Sequence, residues 1–266
     1  DKQSLQKELF KEKRVSFIPT MGCLHRGHLS LIKKSVKYKR KILVSIFVNP
    51  KQFNKRDDYK SYPRNISSDI KKLNKANVDY LYIPSFKDVY EFKTKKKVFL
   101  DKFSKKLCGK NRKGHFKGVV EVVNRFLEII KPRFIFLGLK DFQQLYLIKK
   151  HILIRKIKTK VIECKIIREK NGVACSSRNF NLSNKQKIIA ADIYNYFSKL
   201  KKKLKKTDIF SQRNKLKKIL LNLGANKIDY VVNYNIKDLK TSNKTNKNSK
   251  IFIAYYIKKV RLIDNI

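Results

Sequence analysis

The chain has 266 residues, of which 42% are hydrophobic, so it can bury one large core or two smaller ones. Its 67 Lys and Arg residues against 20 Asp and Glu residues give a net charge of +47, which alone favours a nucleic-acid partner. The lysines are spread along the whole chain with no aromatic binding motif among them, so a lysine-rich surface is the preferred interpretation, and neither nucleic-acid nor membrane binding is predicted.

The first strong pattern is an apolar run at 14–18, followed by a glycine-containing turn and by helical spacing over 28–39. This order predicts a strand, a loop and the start of a helix. The first N–H groups of a helix lack partners within it and carry the positive end of its dipole, so phosphate oxygens suit that place. His25 and His28 lie beside it, where two imidazoles can hydrogen-bond phosphate, and Gly27 permits close approach of a ligand.

Further strands and helices alternate along the first 166 residues. The apolar runs predict strands at 41–48, 78–83, 134–137 and 160–167, and the helical spacing predicts helices at 67–75, 119–130 and 142–155. This alternation is typical of a parallel sheet covered by helices, in which ligands lie beyond the carboxyl ends of the strands. Asn49 and Gln52 follow the second strand and are placed to meet a ligand, although a turn cap and a solvated side chain are the plainer alternatives.

A second group of candidate residues follows the strand at 134–137. Gly138 permits close approach of a nucleotide, and Lys140 can bring positive charge to its phosphates. Asp141 can cap the helix that follows, and Gln144 lies on the first turn of that helix, facing the same mouth of the sheet. The plainer interpretation of the Lys-Asp pair is a surface ion pair.

Two loops add further donors. Ser176 and Ser177 offer hydroxyl and backbone donors, and Arg178 offers a planar charged fork that suits phosphate. Arg112 and His115 lie in a basic, glycine-containing loop at 108–118 and can steady phosphates, or can belong to a solvated loop with a capping role.

The motif His25-Arg-Gly-His28, placed between a strand and a helix, resembles that of the nucleotidyltransferases that bind ATP on a Rossmann-like sheet. Within that group the run 19–28 resembles the pantothenate synthetase (pantoate–β-alanine ligase) family. The resemblance extends over almost the whole chain, through the segments 47–53, 62–64, 112–119, 138–144, 173–183 and 261–265.

The resemblance implies ATP-dependent ligation of pantoate with β-alanine through a pantoyl adenylate, with Mg²⁺ accompanying ATP and with a homodimer as the assembly. It implies catalytic roles for His25, His28 and Lys140. It implies pantoate or β-alanine binding by Gln52 and Gln144. Asn49, Tyr62, Arg112 and His115 are further candidate site residues, without an assigned substrate. The ATP-binding residues that it implies are Met21, Gly22, His25, Gly27, His28, Gly138, Leu139, Lys140, Asp141, Ile167, Cys175, Ser176, Ser177 and Arg178.

Some positions depart from the family pattern or are left without a role. Leu139 stands where the family usually carries Glu, and Cys175 replaces an apolar Leu or Met. No metal ligand is assigned, because Asp57, Asp58 and Asp69 are expected to be solvated or to cap helices.

The predicted fold is α/β, with a Rossmann-like nucleotide-binding domain at 1–166 and a small α+β domain at 167–266, which the resemblance implies is a lid over the nucleotide. In the second domain we predict helices at 184–205 and 211–223 and strands at 228–233 and 251–257, with a loop at 241–250. The four cysteines form no Cys-x-x-Cys pair, so neither disulfides nor a zinc site is predicted. Residues 1–10 are polar, no signal peptide is predicted, and a cytoplasmic location is expected.

Two rival hypotheses remain open. One is another His-x-Gly-His nucleotidyltransferase, making a nucleotide cofactor or a cytidylyl product, which leaves the segments at 49–53 and 140–144 without an explanation. The other is a basic nucleic-acid-binding protein without turnover, which predicts strongly salt-dependent binding.

Overall fold

The structure is a computed structural model that describes residues 1–12, 15–54, 56–203, 212–242 and 248–266. The chain divides into two compact units, Asp1–Ile167 and Arg168–Ile266. Within the described ranges, no helix combines the length and the apolar character that crossing a bilayer requires.

The first unit contains a five-stranded parallel sheet with strand order β3-β2-β1-β4-β5, which confirms the predicted fold class. The strands are β1 Ser16–Thr20, β2 Ile42–Ile46, β3 Tyr80–Tyr82, β4 Phe134–Gly138 and β5 Lys160–Cys164. From β1 the chain builds outward through β2 and β3, and it then returns to the other side of β1 with β4. The boundary between β1 and β4 is therefore the point at which the strand order reverses, where ligands of open α/β sheets bind.

Eight helices accompany this sheet in the described part of the unit. They are α1 Lys2–Phe10, α2 Arg26–Val36, α3 Arg56–Lys60, α4 Ile66–Lys75, α5 Phe86–Tyr90, α6 Leu107–Asn111, α7 His115–Ile130 and α8 Phe142–Ile154. Successive side chains of the strands bury into opposite faces, so Phe17 and Ile135 join one core with α7, and Ile18 and Phe136 join another with α2. Both faces of the central strands are covered, which explains their nearly continuous apolar sequences.

Several local predictions were wrong. The helix predicted from residue 28 begins at Arg26, because His25 serves as its N-cap. The helix predicted from residue 67 begins at Ile66, because Asn65 is its N-cap. The loop predicted at 108–118 contains most of α6 and the start of α7.

The segment 93–106, for which no element is predicted, contains a 3-10 turn at Lys102–Lys105 and no strand. Two further expectations need correction. Strand β5 ends at Cys164 rather than at 167. Asp141 occupies the N-cap position of α8 without a capping hydrogen bond from its side chain. Arg14 and residues 204, 205, 211 and 243–247, which also entered these predictions, lie outside the described residues.

The second unit is a three-stranded antiparallel sheet, β6 Lys227–Asn235, β7 Ser249–Ile257 and β8 Val260–Asn265, in that spatial order. It is accompanied by α9 Asn184–Lys203 and α10 Arg213–Asn222. The helices bury Ile193, Phe197 and Leu220 in one core with sheet residues such as Ile253. The α+β character predicted for this part of the chain is confirmed, and β8 is a strand that the sequence analysis missed.

Candidate active site

The sheet of the first unit opens at the carboxyl ends of β1 and β4. Strand β1 pairs with β2 as far as Thr20 and Ile46, but its pairing with β4 stops at Phe17 and Ile135. Pro19 follows within β1, and a proline contributes no N–H to a ladder. The two central strands therefore part early, and the turns that follow them flank the resulting opening.

The turn after β1 carries the two histidines at the start of α2. Nδ1 of His25 accepts a hydrogen bond from the backbone N–H of Gly27 at 3.1 Å. Nδ1 of His28 accepts one from the backbone N–H of His25 at 3.3 Å, which completes a reciprocal capping box. The two rings stack with their centroids 4.0 Å apart. The backbone N–H groups of His25 and Gly27, at the helix start where phosphate binding was predicted, therefore donate to imidazole nitrogens instead.

Burial and these hydrogen bonds together define the protonation of both rings. Burial, aided by the ammonium of Lys140, lowers the pKa of His25 to about 4. Burial also lowers the pKa of His28 well below its ordinary value, helped by His25 and Lys140. Both rings are therefore neutral at pH 7, and since each Nδ1 accepts a hydrogen bond, each proton lies on Nε2. The turn presents two neutral N–H donors.

The turn after β4 brings a cation to the same region. Leu139–Asp141 form a 3-10 turn that leads directly into α8. Nζ of Lys140 lies 3.5 Å from the Asp141 carboxylate, at the limit of an ion pair, and is close enough to lower the pKa of both histidines. A Cβ added at Gly138 would meet no atom within 4 Å, so there is open space beside the end of β4. The structure thus brings together His25, His28 and Lys140.

The turn after β2 places Gln52 in contact with the turn after β1. Gln52 is only 8% exposed, its side-chain Nε2 contacts Sδ of Met21, and its Oε1 accepts from Asn49. Asn49 is fully engaged by the protein, since its Oδ1 accepts from the hydroxyl of Tyr90 and caps Lys51 N–H. The geometry thus gives Asn49 the capping role that the sequence left open, and its contact with a ligand stays a prediction.

Arg112 and His115 point to the main chain of Gln52. The carbonyl oxygen of Gln52 accepts from Nδ1 of His115 at 2.7 Å and from Arg112 at 3.3 Å. Nε2 of His115 then accepts from Arg112 at 3.1 Å, which defines the tautomer of this ring. Helix α7 also approaches closely here, since a Cβ added at Gly118 would lie 2.2 Å from the carbonyl oxygen of Lys51. A phosphate contact from Arg112 or His115 stays a prediction.

The paired glutamines of α8 have different surroundings. Gln143 is buried, accepts from Cys108 N–H and donates to the carbonyl oxygens of Phe103 and Lys106. It anchors the segment before α7, a role the sequence analysis missed. Gln144 is half-buried, and no group in the described part of the chain hydrogen-bonds its side-chain amide. Its amide is therefore available to a ligand.

Three other residues singled out from the sequence, Tyr62, Gly22 and Asp69, lie near these turns. Tyr62 is buried, with its ring packed edge-on against Phe53 at 5.6 Å between centroids. Gly22 has a φ of +80°, a conformation that favours glycine, and its carbonyl-side neighbour Cys23 is also left-handed at +51°. Asp69, expected to be solvated or to cap a helix, is instead 1% exposed and accepts from the N–H groups of Cys23 and Leu24.

The second unit holds the Ser-Ser-Arg segment. Ser176 caps a short 3-10 helix at Ser177–Asn181, its Oγ accepting from the N–H of Arg178 at 3.3 Å. Asn179 holds this turn by donating to Glu169 and to the carbonyl oxygen of Ala174. Cys175 and Ser177 are buried, while Arg178 is half-buried. Ile167 is the last residue of the first unit.

No group of three or more His, Cys, Asp or Glu side chains suited to a metal ion occurs among the described residues. The first unit thus offers two neutral N–H donors, one ammonium and the side-chain amide of Gln144. These groups suit a phosphate-bearing ligand together with a second, polar ligand.

Comparison with known proteins gives one consistent result. A model of the family described as Pantoate-beta-alanine ligase matches residues 1–266. A pantothenate synthetase of Flavobacterium psychrophilum is 40% identical over 269 residues, covering 100% of this chain and 95% of that protein. The crystal structure of pantoate-beta-alanine ligase from Francisella tularensis, complexed with beta-gamma ATP and beta-alanine, has 37% identity and a TM-score of 0.84, covering 100% of this chain and 95% of that one.

A second solved structure adds to this likeness. Pantothenate synthetase from Thermus thermophilus has 28% identity and a TM-score of 0.91, covering 100% of this chain and 96% of that one. The similarity therefore spans the sequences of both compact units.

Proposed function

The chain belongs to the pantoate–β-alanine ligase family, and we propose that it joins pantoate to β-alanine with consumption of ATP. The reaction has two steps. An oxygen of the pantoate carboxylate attacks the α-phosphorus of ATP, and pyrophosphate leaves. The amine of β-alanine then attacks the carbonyl carbon of pantoyl adenylate, AMP leaves, and the amide bond of pantothenate forms.

One observation carries the assignment of the first step, namely the tautomer of the two histidines. Because Nδ1 of His25 and of His28 accepts a backbone hydrogen bond, both Nε2–H groups are donors without a positive charge. In our proposal they hydrogen-bond phosphate oxygens, and the ammonium of Lys140 adds positive charge as negative charge moves to the leaving pyrophosphate. Each such donor is expected to stabilise the transition state by roughly 3 kcal/mol.

Gln52 and Gln144 are the proposed partners of pantoate. Pantoate carries hydroxyl and carboxylate groups that need hydrogen bonds, and a carboxamide supplies both a donor and an acceptor. Gln144 has an amide free of hydrogen bonds to the described residues, and Gln52 is held rigidly by Asn49 and His115. Neither step requires a covalent bond to the protein, because adenylation itself activates the carboxylate.

The remaining ATP contacts are proposed from the family resemblance. In the first unit they are Met21, Gly22, Gly27, Gly138, Leu139, Asp141 and Ile167. In the second unit they are Cys175, Ser176, Ser177 and Arg178, where the guanidinium is suited to phosphate.

Three expectations belong to the same proposal. Mg²⁺ would accompany ATP and neutralise part of the phosphate charge, held mainly by phosphate oxygens and water. The homodimer and the cytoplasmic location stay predictions that rest on the family resemblance.

The test is the release of AMP and pyrophosphate from ATP, measured with pantoate, with β-alanine and with both. We expect AMP formation to require both substrates and to fall about 100-fold or more in His28→Ala. The matched control is Lys149→Ala, which neutralises an exposed lysine paired with Glu163 and should retain activity.

Two results would contradict the proposal. If neither pantoate nor β-alanine stimulates turnover while the protein binds ATP, the substrate assignment is wrong. If ATP does not bind and Lys149→Ala weakens salt-dependent binding to nucleic acid, the net charge of +47 is the better guide to function.

A further inference from the structure

We propose that Asp69 of α4 is a positioning residue that holds the turn Met21–Leu24 and thereby aims the imidazoles of His25 and His28. The inference rests on the proposed function, because the orientation of the imidazoles affects activity only if they hydrogen-bond phosphate. Its structural part stands on contacts that do not depend on any ligand.

Both oxygens of the Asp69 carboxylate accept hydrogen bonds from one short segment of main chain. Its Oδ2 accepts from the N–H of Cys23 and its Oδ1 from the N–H of Leu24, each at 2.7 Å. The side chain is 1% exposed, so both bonds form away from bulk water, where charge-assisted hydrogen bonds are strong. The two bonded amides immediately precede His25, the N-cap of α2.

The conformation of the turn explains why a carboxylate is needed there. Gly22 and Cys23 both have left-handed backbones, with φ of +80° and +51°. That conformation is unfavourable for a residue with a Cβ, so Cys23 adopts it only when its surroundings impose it. Successive N–H groups in such a turn converge on one side and form a concave site for an anion. The carboxylate of Asp69 fills that site from within the protein.

The fit between the turn and the carboxylate is close. A Cβ added at Gly22 would lie 3.1 Å from Oδ2 of Asp69 and 3.1 Å from a methyl group of Ile46. Helix α4 provides a second contact one turn further on, where Nζ of Lys72 donates to the carbonyl oxygen of Leu24 at 2.8 Å. Two amides and one carbonyl of the turn are therefore fixed by the same helix.

This arrangement links α4 to the direction of the histidines. The peptide groups of Cys23 and Leu24 set where the chain enters α2, and His25 and His28 take their hydrogen bonds from the first residues of that helix. If the turn rotates, both Nε2–H groups move together. A displacement of about 1 Å at a reacting group can reduce a rate about 100-fold.

The decisive variant is Asp69→Asn. Asparagine keeps the size of the side chain, but one of the two buried N–H groups then faces an NH₂ donor instead of an acceptor. We expect kcat for pyrophosphate release to fall about 10- to 100-fold, with the KM for β-alanine changed by less than about twofold.

The matched control is Asp79→Asn. Asp79 also accepts a backbone N–H, that of Ile42 at 2.8 Å, but at the amino-terminal end of β2, the opposite edge of the sheet from the histidines. Its carboxylate additionally pairs with Lys41 at 2.8 Å. We expect Asp79→Asn to retain kcat within about twofold even if its melting temperature falls as far as that of Asp69→Asn.

A mutant cycle separates positioning from general destabilisation. If Asp69 acts through the histidines, adding Asp69→Asn to a protein that already carries both His25→Ala and His28→Ala should change turnover by less than about twofold. If the two losses multiply, or if Asp69→Asn retains the wild-type kcat, the positioning role is wrong.

A second readout does not depend on turnover. The ¹⁵N resonances of the His25 and His28 side chains should shift in Asp69→Asn and stay unchanged in Asp79→Asn. Shifted resonances in a protein without ligase activity would support the positioning role and contradict the proposed function. Unchanged resonances in an active protein would overturn the positioning role alone.

Discussion

The four histidines of the chain lie in two regions that use the same ring in opposite ways. His115 and His151 lie in helices α7 and α8, and both ring nitrogens of each are bound by protein groups. His25 and His28 lie at the turn after β1, where only Nδ1 of each ring has a hydrogen-bond partner among the described residues.

His151 shows the structural use most clearly. It is 0% exposed, its Nδ1 accepts from Phe99 N–H at 3.0 Å, and its Nε2 donates to Oδ1 of Asn124 at 3.0 Å. Asn124 in turn donates to the carbonyl oxygen of Lys96, so the network fixes the segment before α6. The number of ring nitrogens without a partner among the described residues, rather than burial or pKa, therefore distinguishes the two histidines proposed to donate to phosphate from the two that hold the protein's own chain.

The largest effect on activity is expected from His25→Asn. Asparagine is among the best N-cap residues, so its side chain can still accept from Gly27 N–H and preserve the start of α2. It lacks the outward Nε2–H, so we expect kcat for AMP formation to fall about 100- to 1,000-fold. Urea unfolding should show a free energy within about 1 kcal/mol of the wild type. Wild-type turnover in this stable variant would show that the His25 donor is dispensable.

The opposite result, a loss of stability with turnover retained, is expected for His151→Ala. This change leaves Phe99 N–H and Asn124 Oδ1 without partners and creates a cavity, so the free energy of unfolding should fall by about 3 kcal/mol. Turnover at a temperature where the variant is folded should remain within about threefold of the wild type. Loss of turnover without loss of stability in chemical denaturation would contradict a structural role.

A smaller effect is expected from acid. Burial is the main cause that lowers the pKa of His151 to about 4, whereas an unfolded histidine titrates near 6.5. Between these values the unfolded chain binds the extra proton, so stability falls as the pH falls. This one group should cost about 2 kcal/mol of unfolding free energy between pH 7 and pH 5. In urea titrations at both pH values, the free energy of unfolding should change less between pH 7 and pH 5 in His151→Ala than in the wild type. An equal change in both proteins would contradict the assignment of this pH dependence to His151.

The fold was predictable because its signals are local. The apolar runs that became β1, β2, β4 and β5 have the length and punctuation of buried strands, and their alternation with helices predicts a parallel sheet. The errors fell where local pattern is weak. The start of α4 depends on its cap Asn65, and α6 is held by Gln143, which accepts from Cys108 N–H. A hydrophobic period reveals neither contact.

The site was predictable in its residue types and less so in its geometry. The His-x-Gly-His motif and Lys140 follow β1 and β4, and neighbouring strands bring them together. The sequence did not predict that each imidazole would cap its own helix. Nor did it predict the bonds from Asp69 to amides 45 and 46 residues away, because a contact over that separation leaves no periodic trace. Gln143 was missed for the same reason.

The neutral state of the stacked histidines also bears on how the products leave. A pair of cations would hold released pyrophosphate by full Coulomb attraction, which is strong in a partly buried site. Two N–H dipoles attract the same anion less strongly, yet they still respond as charge builds on the phosphate oxygens. With His25 and His28 as the proposed phosphate donors, the capping hydrogen bonds that keep Nδ1 unprotonated favour release of the product as well as chemistry, since an enzyme that binds its leaving group too tightly is limited by release.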